Sequence, residues 1–362
     1  MNRFKEYIRR RENQLNGKVN LISWNHRYPD ISKYLPGISK GDCTLVTAHS
    51  GVGKTQLTKD FFALTPFQFY KENKDKLSLK IIYFALEESK EEFYDSVVIH
   101  ELYTRFGIKL DVNTLRGQGI VPMSKDTLDK VQKVIAYVDE FFKTLTVVDT
   151  ISRPDFMLKY LERYSRSIGT HYYKYKDGNV IPESEYNSLP DQNDWVYSHF
   201  LENDPNHYTI VITDHISLLD NLPGKSLHET MHYWSAKVSR GILSKLWKFS
   251  VCNVQQQVSS GENLDHIKSK HFISTANLAD NKTTQRDHKL ILGLYSPHKY
   301  DVKSHLGYDI TRFKDNIRFL KILKNREGRT NLIKALHFDG SVVKFRELPS
   351  SGSSNITKFY NL

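Results

Sequence analysis

Apolar runs rich in β-branched and aromatic residues recur along the chain: CTLVTA at 43–48, IIYFAL at 81–86, TLTVVD at 144–149 and YTIVITD at 208–214. Helical patterns lie between them, and this alternation predicts a parallel α/β sheet with buried strands. Further strand-like runs follow at 249–254, 289–295, 318–323, 332–338 and 341–346. The last three are closely spaced, as in an antiparallel meander, so one sheet of mixed direction accounts for all of them. Between His228 and Lys248, Met231, Trp234, Val238, Ile242, Leu243 and Leu246 share one helical face, which predicts a core helix. The stretch from about 166 to 206 breaks the rhythm. Its Asp177-Gly178 pair between short alternating arms predicts a hairpin insertion.

The two ends read differently. Phe4, Ile8 and Leu15 stand at roughly helical spacing among many charges, with Gly17 placed as a C-cap, so residues 1–18 are expected to form a short amphipathic helix. Its thin apolar stripe suits docking on this core or on a neighbouring subunit. At the other end, PSSGSSN at 349–355 predicts a flexible tail over 349–362.

Composition narrows the class. Of 362 residues, 39% are hydrophobic and 26% charged, ordinary values for a globular protein with a sizeable core, which argues against disordered and fibrous classes. A net charge of +11 makes polyanions natural partners. Cys43 and Cys252 lie far apart without metal-ligand spacing, which excludes a disulfide framework and a thiolate zinc site and fits a reducing, cytoplasmic compartment. Mean hydropathy is −0.52, and neither a signal-like apolar segment nor a membrane-length run is present.

The chemistry begins after the first strong strand. His49-Ser50-Gly51-Val52-Gly53-Lys54-Thr55-Gln56 follows CTLVTA and opens a helical pattern, the context a phosphate-binding P-loop requires. Glycines at 51 and 53 let backbone N–H groups curl around phosphate oxygens, Lys54 supplies a point charge, and Thr55 offers its hydroxyl to Mg²⁺. Ala48 stands where the strict motif has glycine. YTIVITD ends in Asp214, placed to hold the magnesium water shell. The strand IIYFAL runs into Glu87 and Glu88; Glu87 is the chosen carboxylate for orienting an attacking water, with Glu88 the alternative.

Taken in this order, the segments resemble the RecA-type ATPase core of DnaB-like replicative hexameric helicases, over roughly residues 20–348. SWNHRYPDISKYLPGISKGDCTLVTAHSGVGKT is similar to the family's approach to its P-loop, YFALEES to the segment supplying its catalytic glutamate, and TDHISLLD to its Walker B segment. NVQQQVSS resembles the strand ending in a γ-phosphate-sensing glutamine, which maps to Gln256 with a register open by one within Gln255–Gln257. STANLADN, LILGLYSPHKY and KILKNREGRT resemble the last blocks, and Lys324 and Arg326 match the Lys-x-Arg pair that reaches a neighbour's nucleotide. Read without the family, KNREGR is a basic turn.

The resemblance implies an α/β, RecA-like P-loop domain over 19–348, with a mixed, mostly parallel sheet flanked by helices. It further implies ATP and Mg²⁺ as cofactors, a hexameric ring of identical subunits, and single-stranded DNA in the central channel. Loops at about 220–229 and 258–283 would contact that DNA, with Lys225, Lys268, Lys270 and Lys282 neutralising phosphates. The expected activity is an ATP-dependent DNA helicase acting in replication, with a primase or loader as a further partner. The alternative is a RecA-type recombinase or clock-like regulatory ATPase that binds partners without unwinding DNA.

The chain departs from the family pattern at several points. No arginine stands near Ala279, the helical N-terminal domain is not represented, and the insertion is additional. Residues 1–16 resemble the family's linker helix instead. Within the insertion, Tyr172, Tyr173, Lys174, Tyr175 and Lys176 interleave aromatic and basic groups as nucleic-acid surfaces do, and peripheral packing is the simpler expectation.

Overall fold

A computed structural model describes residues 8, 11, 12, 15, 19–258 and 272–360. The expected N-terminal helix lies almost wholly outside the described residues, as do Lys268 and Lys270.

The apolar runs become the main sheet, whose strands are numbered here along the chain. They are β1 (Cys43–Ala48), β2 (Ser78–Ala85), β3 (Leu145–Val148), β4 (His207–Asp214), β5 (Ser250–Gln256), β6 (Leu290–Tyr295), β7 (Ile317–Asn325), β8 (Ile333–Asp339) and β9 (Lys344–Glu347). Their order across the sheet is β9-β8-β7-β6-β1-β5-β4-β2-β3. The six strands from β6 to β3 run parallel, and β7, β8 and β9 extend the sheet as an antiparallel meander. Central strands such as β1 are buried on both faces, which is why they read as continuous apolar runs rather than alternating ones.

One face is covered by α1, which runs from Lys54–Lys59 through a π-helical turn at Asp60–Leu64 into Thr65–Glu72, together with α2 (Lys90–Phe106) and α3 (Lys125–Thr144). Leu57, Phe61, Phe67, Phe93 and Phe141 from these helices pack with Val46, Ile81, Tyr83 and Ile212 of the sheet. The opposite face holds α4 (Pro154–Ile168) and α5, an α-helical start at Leu227–His232 that continues as a π-helix over Tyr233–Leu246.

The π-helix corrects the expected core face of that segment. Trp247 N–H donates to the carbonyl of Ile242, five residues back, at 3.0 Å. Buried residues accordingly fall at Trp234, Val238, Leu243 and Trp247, spaced four, five and four apart, and Leu246 is turned out to 37% exposure.

The insertion is a three-stranded antiparallel sheet with Gly169–Tyr175 between Val180–Pro182 and Trp195–Glu202. Its aromatic side chains are largely used in packing. Tyr173 stacks on Tyr186 at 3.7 Å, Tyr175 lies 5.2 Å from Trp195, and Lys176 pairs with Asp194 at 2.7 Å.

The tail also differs from expectation. Residues Ser354–Phe359 form a 3-10 helix, and Ile356, Phe359 and Tyr360 join a third apolar cluster with Phe313, Ile317 and Phe319. Three apolar anchors spaced over five residues outweigh the flexibility of the Ser/Gly stretch before them. No helix among the described residues is long and apolar enough to cross a membrane.

Candidate nucleotide site

The P-loop connects the end of β1 to α1. Gly51 and Gly53 both adopt positive φ, +73° and +101°, a region L side chains enter at a cost. At Gly53 a methyl group would also come within 3.0 Å of Phe338 Cζ, so the glycine is required twice over. Ala48 is a regular, fully buried strand position paired with Gln256 and Leu294, so it needs no glycine and the motif tolerates the change. The loop delivers Lys54 and Thr55 to the first turn of α1, where unpaired N–H groups and the helix dipole favour an anion.

Arg318, on β7, holds this loop from beneath. It is 1% exposed, and its Nε donates to the carbonyl of Val52 at 2.7 Å. One terminal nitrogen donates to the carbonyls of Asp315 and Ile317 at 2.6 and 3.0 Å, and the guanidinium lies 4.7 Å from the centre of the Phe338 ring.

The acids arrive on neighbouring strands. Asp214 ends β4 on the same sheet face as Ile210 and Ile212, toward α1. Its Oδ2 accepts a hydrogen bond from Tyr83 at 2.8 Å, whereas its Oδ1 is buried without a hydrogen-bond partner. Such an orphan beside Thr55 suits a hydrated divalent cation, because a P-loop magnesium is held by one hydroxyl, water and phosphate oxygens. Among the described residues no group of three or more His, Cys, Asp or Glu side chains could hold a metal unaided, which agrees with that mode.

Glu87 and Glu88 follow β2 and separate clearly. Glu87 is exposed, with Oε2 3.8 Å from Nε2 of His215. Glu88 is mostly buried, and its Oε2 pairs with Lys59 Nζ at 2.7 Å. Burial pushes the Glu88 carboxyl above its ordinary range, with Lys59 opposing the shift. Burial, and then the nearby Lys54 charge, lowers the His215 imidazole, which is therefore neutral at pH 7. Glu87 is the carboxylate available to a water.

Ser50, Gly51, Gly53, Lys54, Thr55, Gln56, Glu87, Glu88 and Asp214 line one cavity of about 730 Å³, closed on another side by Phe338, Gly340, Ser341 and Val343. Val52 is buried beneath the loop.

The remaining candidates divide by the pleat and by the ends of the sheet. Gln255 is buried on the α5 side, donating to the carbonyls of Ala279 and Asn281 and accepting from Thr284. Gln257 donates to Thr47. Gln256 lies on the α1 face with Cys252 and Val254, half-buried, and makes no side-chain hydrogen bond among the described residues.

Lys324 and Arg326 sit at the opposite end of the sheet. Lys324 pairs with Ile291, itself opposite Leu45, and its Nζ donates to the carbonyl of Gln285. Arg326 N–H donates to Lys289, which in turn donates to Cys43 at the start of β1. The length of β1, about 17 Å at 3.3 Å per residue, separates that end from the P-loop.

Lys225 pairs with Glu229 at 3.2 Å, and Lys282 is exposed at the start of a 3-10 helix. Their two loops meet where Asn281 Nδ2 donates to the carbonyl of His228 at 3.2 Å. Sequence reasoning passed over Arg318, Phe338, Lys59 and His215. The one visible signal was an arginine opening the otherwise apolar strand 318–323.

The fold and site define a RecA-type P-loop domain. Neither a family model nor a curated protein matches the sequence. Among solved structures, a DnaB-like replicative helicase studied with its interactions with primase matches with a TM-score of 0.65 at 15% identity, over 94% of this chain and 67% of that one. A second solved structure, an isolated ATPase domain, matches with a TM-score of 0.64 at 14% identity, over 95% of this chain and 98% of that one. The fold is thus that of the DnaB-like replicative-helicase ATPase domain.

Proposed function

We propose that this protein is an ATP-driven motor of the DnaB-like type, hydrolysing ATP at subunit interfaces of a hexameric ring to move on single-stranded DNA and separate duplex during replication. The observation that carries the reading is a divided site. Phosphate cradle, cation ligands and Glu87 share one cavity, whereas Lys324 and Arg326 stand at the far end of the same sheet. A cation pair so placed serves a nucleotide only across a boundary between two copies, which makes turnover depend on assembly.

Within the site, the P-loop N–H groups and Lys54 bind and orient the phosphates. Thr55 and Asp214 would hold Mg²⁺, which supplies charge neutralisation to the phosphoryl group. Glu87 orients the attacking water and accepts its proton at a carboxylate oxygen. Gln256, at the end of β5, reports the γ-phosphate to the loops carrying Lys225, Lys268, Lys270 and Lys282, which follow the phosphates of DNA. The known fold neighbour's interactions with primase make a primase or loader the natural further partner.

The test is steady-state ATP hydrolysis with and without single-stranded DNA across a salt series, together with strand separation. The reading predicts stimulation that fades with salt, no turnover in Lys54→Ala, and nucleotide binding without turnover in Glu87→Gln. Hydrolysis indifferent to DNA, without strand separation, would favour a regulatory ATPase.

A further inference from the structure

We infer that the buried Lys59–Glu88 ion pair is the positioning device for Glu87, an inference that rests on the hydrolytic reading above. Lys59 stands on α1, five residues after Lys54, with its side chain 4% exposed. Its ammonium is held by three groups from two other segments. Glu88 Oε2 is 2.7 Å away, Ser96 Oγ is 2.9 Å away, and the Phe93 ring centre lies at 4.4 Å.

Glu88 belongs to the turn that carries Glu87, and Phe93 and Ser96 belong to α2. One ammonium therefore ties the P-loop helix, the turn bearing the water-orienting carboxylate and the following helix at a single point. Both flanks of the turn are fixed by the backbone. Leu86 N–H donates to Asp214, Ser89 and Glu92 form a reciprocal cap on α2, and Lys90 N–H donates to Asp149. Between those anchors, Lys59 is the side chain that grips the turn, through the residue next to Glu87.

Stability alone does not explain a charge pair at this point. Burying two ions costs solvation that their attraction offsets only in part, and an apolar pair of similar length commonly packs as well. Glu88 Oε1 adds to that cost, being buried without a hydrogen-bond partner. What the pair adds is a fixed distance and direction between α1, which binds phosphate, and the turn that places Glu87. Small errors in that distance reduce turnover steeply.

The test compares wild type, Lys59→Met and the double variant Lys59→Met/Glu88→Met. It reads kcat and KM for ATP, thermal stability, and amide hydrogen exchange over residues 86–90. Lys59→Met should lower kcat about tenfold or more with KM within about twofold, since the phosphate cradle is untouched. The double variant should regain wild-type thermal stability, because the stranded charge is gone, while kcat stays low and residues 86–90 exchange faster than in wild type.

Recovery of kcat together with stability would reduce the pair to a packing element and overturn the inference, as would an unchanged kcat in Lys59→Met. Should wild type hydrolyse no ATP, the functional reading fails. The exchange comparison then still decides the inference: equal protection at 86–90 in wild type and double variant overturns it.

Discussion

Replacing Arg318 with Met probes how the P-loop is held. The guanidinium donates to three carbonyls, those of Val52, Asp315 and Ile317, at 2.7, 2.6 and 3.0 Å, and lies over Phe338. Its ion pair with Asp315 adds little, since that carboxylate is 68% exposed. Burial lowers the affinity of Arg318 for its proton, so part of the gain is spent on desolvation. Methionine keeps most of the packing over Phe338 but strands carbonyls beside a buried site. At roughly 1–2 kcal/mol for each of two poorly rehydrated carbonyls, the loss comes to about 3 kcal/mol.

Freed at Val52, the loop should also bind ATP about tenfold more weakly, equivalent to about 1.4 kcal/mol. Urea denaturation and nucleotide titration measure the two effects separately. Arg318→Lys should fall between, because a single ammonium cannot reproduce the fork. A stability loss below about 1 kcal/mol would refute the hydrogen-bond reasoning. A full stability loss with unchanged ATP affinity would refute the claim that Arg318 holds the P-loop.

Two further outcomes are expected. Burial pushes His288 down to about 4; its Nδ1–H donates to Thr284, and its Nε2 accepts from Asn253. The unfolded imidazole takes up a proton near pH 6.5 and the folded one does not until about 4, so stability is full above 6.5 and falls as pH drops through that window. Between pH 7 and 5 this one group accounts for about 2 kcal/mol, measured as a shift in denaturant midpoint that His288→Gln should remove. Among the glutamines, Gln256→Ala should lower ATP turnover with stability kept, whereas Gln255→Ala should destabilise by about 2 kcal/mol as its three buried hydrogen bonds are lost. The reverse pattern in paired turnover and melting measurements would move the γ-phosphate contact to Gln255.

Much of this architecture was legible because its signals are local. A strand buried on both faces reads as an unbroken apolar run, and the P-loop glycines, Lys54 and Thr55 are consecutive. What could not be read depends on distant partners. Arg318 meets Val52 across 266 residues, and Phe338 closes on Gly53 from β8. The choice among Gln255, Gln256 and Gln257 follows from the pleat once the face of β5 is known, and that face is set by α1 and α5. The π-helix moved the core register of α5 from Leu246 to Trp247, a change that 3.6-residue periodicity does not express. Likewise, Ile356 anchors the tail because Phe313 and Ile317 offer it an apolar site.

The account's central claim is a nucleotide site completed by a second copy, and mixing two inactive variants tests it most directly. Lys54→Ala removes the phosphate charge from the cradle, and Arg326→Ala removes the cation from the far end of the sheet. Each alone should hydrolyse little ATP. Equal mixtures, allowed to exchange subunits, should recover activity, because about a quarter of randomly formed interfaces then pair an intact Lys54 with an intact Arg326. Mixtures no more active than the separate variants, despite proven subunit exchange, would contradict a site shared between subunits.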